Sequence, residues 1–281
     1  MEYTPLIMKP FFSIVIPTLN EERFLPKLLD SLVKQTNRDF EVIIADGSSE
    51  DKTVEVAKKY RSKLPSLVIA SSPKRGVAAQ RNYGTEIAQG SWIVTSDADS
   101  TFHPFAVAQM AQFISKKKYS HFVSWFSTDT DNPNDALLIL LINAGIELSV
   151  KMKRPAGYGA FMVTDKRVFR SVGGFDESLE FGEDNDLCRR IYEKTKEMMG
   201  VMREAPVTYS LRRYHKLGLA QTLQLYARAS FILLLTKRTP AKLPGYMMGG
   251  HVYTEKEQQE RTSILKEYEK TLKEFMRELT R

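Results

Sequence analysis

The first part of the chain alternates between short apolar runs and longer stretches whose apolar positions recur every three or four residues. "FSIVIPTL" reads as a strand. "NEERFLPKLLDSLVKQ" reads as a helix, with Asn20 as N-cap and Leu25, Leu28, Leu29 and Leu32 on one face. "FEVIIADGSS" is a second strand, "DKTVEVAKKY" a helix, "SLVIAS" a third strand, "GVAAQRNYGTEIAQG" a helix and "SWIVTSDAD" a fourth strand. Strands alternating with helices mean βαβ units and a mostly parallel sheet, hence an α/β fold. Such sheets bind ligands beyond the carboxyl ends of their strands. Asp46, Asp97 and Asp99 all fall at such ends, so they are expected to share one crevice.

The second half is less regular. "HPFAVAQMAQFISKKK" and "NDALLILLINAGIELSVKMK" read as helices, and "HFVSWFST", "AFMVT" and "APVTYS" as strands. "GEDNDLCRRIYEKT" starts a helix after a glycine-rich stretch. "LGLAQTLQLYARASFILLL" is a long helix. The tail opens at Thr254 with a capping box and spaces Ile264, Tyr268, Leu272, Phe275 and Leu279 down one face. That helix packs on its own body or forms a homodimer.

Composition narrows the field only a little. The 281 residues are 42% hydrophobic, enough for a real core. Cys188 has no partner for a disulfide, which fits a reducing, cytoplasmic setting. The net charge of +7 suggests an anionic partner. The basic residues are scattered without an aromatic platform, which argues against nucleic acid. The N-terminus lacks the charged region of a signal peptide, and no apolar run is expected to span a bilayer. "ARASFILLLTKR" puts an apolar cluster beside Lys237 and Arg238, with Lys242 further on. That pattern suits a core helix or peripheral contact with the cytoplasmic membrane face.

The chemistry begins with "TSDADS". In a strand, Asp97 and Asp99 would point one way and Ala98 the other. Two like charges on one face suit a hard divalent cation; the alternative is a pair of solvated turn aspartates. Asp46 ends the second strand, where acidic residues of nucleotide-binding folds hydrogen-bond a ribose. Asp51 can cap the next helix in its place. "IPTLNEE" follows the first strand where a dinucleotide fold requires G-x-G-x-x-G, which argues against a dehydrogenase.

Read together and in order, "SIVIPTLNEERFL", "VIIADGSSEDKT", "KRGVAAQRNYG", "VTSDADS" and "GGFDESLEFGEDNDLCRRI" resemble the family 2 glycosyltransferases. The resemblance implies a GT-A fold: a Rossmann-like, mostly parallel sheet flanked by helices. It would occupy residues 1–215, with a nucleotide-binding half over about 11–100, an acceptor half over about 101–215 and a helical extension over 216–281. It also implies roles. Pro17, Asn20 and Glu21 line the nucleotide pocket, Asp46 binds base and ribose, and Lys74 and Arg81 lie along the donor. Asp99 ligates Mn²⁺ or Mg²⁺, with Asp97 on the ribose or reaching the metal through water. Asp184 matches the catalytic base; the helix start favours its ionised form, while the flanking Glu183 and Asp186 raise its proton affinity. Gly157, Tyr158 and Gly159 shape the sugar and acceptor site. Arg212 and Arg213 suit phosphate contact, and His215 either phosphate contact or a third metal position.

The implied activity is metal-dependent, inverting transfer of a sugar from a nucleoside-diphosphate sugar to an acceptor hydroxyl. Transfer to a polyprenyl phosphate at the membrane surface is one alternative. A sugar nucleotidyltransferase is another, although "PTLNEE" is not its glycine-rich phosphate loop.

Overall fold

The computed structural model describes residues 9–116, 119–128, 130 and 132–218. All of them fall in the first of two units, Met1–Tyr246. The helices read at "LGLAQTLQLYARASFILLL" and from Thr254, with Lys237, Arg238 and Lys242, lie outside the described residues.

The nucleotide-side half runs β1 (Phe12–Thr18), α1 (Leu25–Val33), β2 (Phe40–Asp46), α2 (Thr53–Lys58), β3 (Leu67–Ser71), α3 (Val77–Ile87) and β4 (Trp92–Ser96). The second half runs β5 (Thr101–Phe102), α4 (Ala106–Lys116), β6 (His121–Ser127), α5 (Pro133–Lys151), β7 (Phe161–Asp165), α6 (Lys166–Ser171), α7 (Glu183–Thr195), β8 (Gly200–Thr208) and α8 (Arg212–Leu217). The strands form one sheet in the order β3-β2-β1-β4-β7-β6-β8-β5.

β1, β2, β3 and β4 pair in parallel, as the alternating pattern requires. β7 enters beside β4 antiparallel and β6 beside β7 likewise, and β5 pairs antiparallel with β8. β6 and β8 pair in parallel, so the sheet is mostly parallel, with antiparallel pairings at β7 and β5. β2 and β4 are buried along their whole length, because helices cover both faces of the sheet. Ile14 and Ile16 pack with the α1 leucines on one side, while Val15 meets Ile43, Ala88 and Ile93 on the other. The period-two alternation of a strand becomes two cores.

Two local readings change. α1 starts at Leu25, with Pro26 in its first turn, where the missing N–H costs nothing. Asn20 is no N-cap: it sits at φ 58°, and its Oδ1 accepts from the Glu50 N–H at 2.8 Å. β4 ends at Ser96, so Asp97 and Asp99 lie in the turn that Ser100 N–H closes on Asp97 O at 3.2 Å. Strand alternation does not align them; the partners described below do. Periodicity also missed β5, α6 and α8, each too short to show a period.

Gly90 brings the chain hard against β1. A Cβ there would stand 2.6 Å from Ser13 Oγ and 2.8 Å from the Phe12 carbonyl carbon and Ser13 N. Gly90→Ala is expected to destabilise the fold by about 1–3 kcal/mol through overpacking. At Gly145, in α5, an added Cβ meets nothing within 4 Å, so Gly145→Ala should instead gain about 0.5–1 kcal/mol. Urea denaturation of both variants checks the contrast.

Candidate active site

The crevice is built where β1 and β2 end. Asp46 is buried, and its carboxylate is held from three sides. Thr18 Oγ1 donates to Oδ1 at 2.9 Å, Ser49 Oγ donates to Oδ1 at 2.6 Å, and Ser49 N–H donates to Oδ2 at 2.8 Å. Asp51 accepts from Thr53 N–H at 2.9 Å at the start of α2, the place anticipated for it. Gln80 reaches from α3 and donates to Thr18 O and Ala45 O at 2.8 and 2.7 Å, locking the two strand ends together. Arg75 donates from Nε to Gly47 O and from Nη2 to Ser48 O, both at 3.0 Å. Pro17 lies half-buried within β1 beside these groups. Thr18, Ser49, Arg75 and Gln80 lie inside the quoted motifs but were given no role from sequence.

Two arginines bracket the aspartates of the β4 turn. Arg81, 2% exposed, donates from Nη2 to Asp97 Oδ1 at 2.7 Å and from Nη1 to Glu183 Oε1 at 2.8 Å. Its Nε has no hydrogen-bond partner among the described residues, and its guanidinium lies 5.3 Å from the Phe175 ring centroid. A cation buried this deeply is tolerable only because carboxylates meet it. Arg212 grips both Glu21 oxygens at 3.0 and 2.9 Å. Its Nε stands 2.6 Å from Asp99 Oδ2, and its guanidinium lies 4.2 Å from the Phe24 ring centroid. Burial raises the Glu21 pKa; Arg212 pulls it back, and Asp99 and Asp97 add to the rise. One anionic cluster thus spans the ends of β1 and β4 and the start of α8.

Asp184 closes the far side of the cluster. Gly182, at φ 70°, turns the chain into α7, so that Glu183 faces Arg81. Asp184 Oδ2 accepts from Gly159 N–H at 2.9 Å and Oδ1 from Asn185 N–H at 2.7 Å. Burial, and then the charge of Glu183, push its pKa up to about 7. The Gly159 bond and Arg81 pull the other way and lose. The helix-start field anticipated from sequence is outweighed. Asp186 turns away onto Arg189 and Arg190 at 2.6 Å each. Gly159 has to be glycine here, because a Cβ would run into the Arg81 guanidinium. At Gly157 a Cβ would stand 2.8 Å from Cys188 Sγ. Tyr158 packs edge-on against Phe126 and Tyr209.

Three anticipated residues fare differently. Lys74 is exposed and pairs with Glu177 at 2.8 Å, at the rim. His215 Nε2 sits 3.0 Å from both oxygens of Asp135. The side chain of Arg213 lies outside the described ones.

Residues 13–173 match the family described as glycosyl transferase family 2, and the chain belongs to that family. A PGL/p-HBAD biosynthesis glycosyltransferase of Mycobacterium bovis is 38% identical over 116 residues, 41% of this chain. The chain spans 45% of that relative's length. A glycosyltransferase of Haemophilus influenzae is 27% identical over 70% of this chain and 67% of its own. The fold is that of S. aureus TarS 1–349 in complex with UDP-GlcNAc, with a TM-score of 0.61, 20% identity and 83% of this chain covered against 67% of that one. It is also that of a mannosyltransferase from Pyrobaculum calidifontis in complex with GDP-Man and Mn²⁺, with a TM-score of 0.62, 18% identity and the same coverage. Both are GT-A type glycosyltransferase folds.

The raised pKa of Asp184 has a consequence for stability. Its folded value, about 7, lies above the ordinary 3.8, so the folded state holds this proton more tightly than the unfolded chain does. The stabilising contribution is complete below about pH 4 and fades as pH rises through about 7. Asp184→Asn cannot titrate. Its melting temperature, relative to the parent's, should therefore rise from about pH 4 and level off above about pH 7. Thermal melts across that range check the slope.

Proposed function

We propose that this chain transfers a sugar from a nucleoside-diphosphate sugar to an acceptor hydroxyl, with metal dependence and inversion at the anomeric carbon. One observation carries the reading: Arg81 ties Asp97, on the donor side, to Glu183, the neighbour of the proton-accepting Asp184. Asp46, Asn20 and Pro17 stand where base and ribose would lie, at the ends of β1 and β2. The two structural relatives were solved with different nucleotides, UDP-GlcNAc and GDP-Man. The donor proposed here is accordingly the class, a nucleoside-diphosphate hexose.

The residues present suit a hard divalent cation. Asp97 and Asp99 offer oxygen donors and already stand against positive charge in Arg81 and Arg212. Among the described residues, no group of three or more His, Cys, Asp or Glu forms a cage. Mg²⁺ and Mn²⁺ bind through one or two carboxylates and complete their shell with phosphate and water. Asp99, with Asp97 directly or through water, would hold the ion, which would neutralise the diphosphate and the charge growing on it as it leaves.

The chain's own part in the chemistry is the proton. Asp184 takes it from the acceptor hydroxyl as that oxygen attacks, and the N–H groups of Gly159 and Asn185 keep the carboxylate in place. A pKa near 7 suits a base working at neutral pH. Direct displacement needs no second carboxylate as nucleophile, and the bonds of Glu183 to Arg81 and Asp186 to Arg189 and Arg190 leave those acids to structure.

Asp184→Asn should keep donor affinity and lose transfer to a hydroxyl acceptor by roughly 10²–10⁴-fold. In the parent enzyme, kcat/KM should climb with pH and level off above about 7, because the ionised carboxylate is the active form. NMR of the product should show an inverted anomeric centre. Full transfer by the amide variant would mean the base lies elsewhere.

A further inference from the structure

Helix α5 is apolar on both sides, which a helix buried along one face does not need. Its inner face, Leu138, Ile139, Ile142 and Ile146, is in the core. Asn143 pins that face to β6, accepting from Phe126 N–H at 2.9 Å and donating to Phe126 O at 3.0 Å. Its outer face carries Leu137, Leu140, Leu141, Leu148 and Met152, each 55–58% exposed. These are five of the six large apolar side chains that stand exposed among the described residues. At 100° per residue they share one stripe with the exposed Ala144 and Gly145. A continuous stripe of this kind marks an interaction surface, unlike a scattered exposed leucine.

The charges along the helix are one-sided. Asp135 is occupied by Thr130 and His215, and Glu147 by Trp125 and Arg203. At the C-terminal end Lys151, Lys153 and Arg154 stand exposed beside the stripe. An apolar stripe ending in exposed cations complements the interface of a bilayer with anionic head groups. By length and composition the helix could cross a membrane, but its inner face belongs to the core and holds it in the domain. That arrangement favours a helix lying on the surface over one spanning it.

The position of α5 gives the stripe a purpose. The chain passes from Arg154 directly through Pro155 and Gly157 to Gly159, whose N–H holds Asp184. We propose that the outer face of α5 docks this protein on an anionic lipid surface, so that a lipid-borne acceptor reaches Asp184 from the bilayer. The acceptor part rests on the transfer reading above; the docking does not.

Flotation of the full chain with vesicles tests the docking. The vesicles are phosphatidylcholine alone, or with about one part in three phosphatidylglycerol. The parent should float with the anionic vesicles at low salt, and Leu137→Gln/Leu141→Gln/Leu148→Gln should bind them at least about tenfold more weakly. The triple variant should keep its melting temperature, its sedimentation coefficient and its affinity for nucleoside diphosphates. No flotation of the parent, equal flotation of the variant, or equal binding to neutral vesicles would overturn the proposal. A drop in the variant's melting temperature would too, because it would mean residues 219–281 cover the face. So would a parent dimer that the variant dissolves, which would make the occupant a second copy. No donor or acceptor enters this assay, so its failure is separate from failure of the transfer reading, which Asp184→Asn kinetics decide.

Discussion

The site is governed by a surplus of carboxyl groups in a small, partly dry space. Glu21, Asp97, Asp99, Glu183 and Asp184 face one crevice, and Arg81 and Arg212 are the cations bonded to them there. Like charges this close cannot all ionise without compensation. The structure answers in two ways. The arginines each clamp two acids from different elements, and Glu21 and Asp184 hold their protons more tightly than usual. The arrangement is costly as structure; in the transfer reading proposed above it is useful as chemistry, since it would leave a base poised near neutrality beside carboxylates suited to a cation.

The fold exists in large part to bring these groups together. β1 and β4 are neighbours and parallel, so the Glu21 loop and the Asp97–Asp99 turn leave the sheet at the same end. β7 comes in antiparallel beside β4, which puts the Gly157–Gly159 loop at that same end too. α3 sits against β1 and sends Arg81 forward, and α7 starts where its first two residues meet Arg81 and Gly159. The glycines at 157 and 159 then allow a contact that no side chain could share.

Much of this was legible in sequence, for identifiable reasons. Long elements with a clean period, such as α1 or β2, announce themselves, and so do carboxylates at strand ends. The ordered motifs pointed to the family, and the family match agrees. What stayed hidden depends on partners far away in the chain. The grip of Arg212 on Glu21 joins residues 191 positions apart. Nothing local in "SLRRYHKLG" shows that grip, or that His215 would choose Asp135. The antiparallel pairing of β7 was invisible because strand direction is set by crossovers, not by composition. The two opposing effects on Asp184, the helix start and the neighbouring acids, were legible, but burial, which raises its pKa most, is a tertiary property.

The central claim is that the Asp97–Asp99 pair stands ready for a cation shared with a diphosphate. Calorimetric titration of UDP and GDP into the full chain, in Mn²⁺ and then in chelator, tests it most directly. At least one nucleotide should bind tightly with Mn²⁺ and weakly without it, and Asp99→Ala should erase the difference while the protein stays folded. Equal affinity in Mn²⁺ and in chelator would contradict the claim, and would leave Arg81 and Arg212 as the crevice's own answer to its charge.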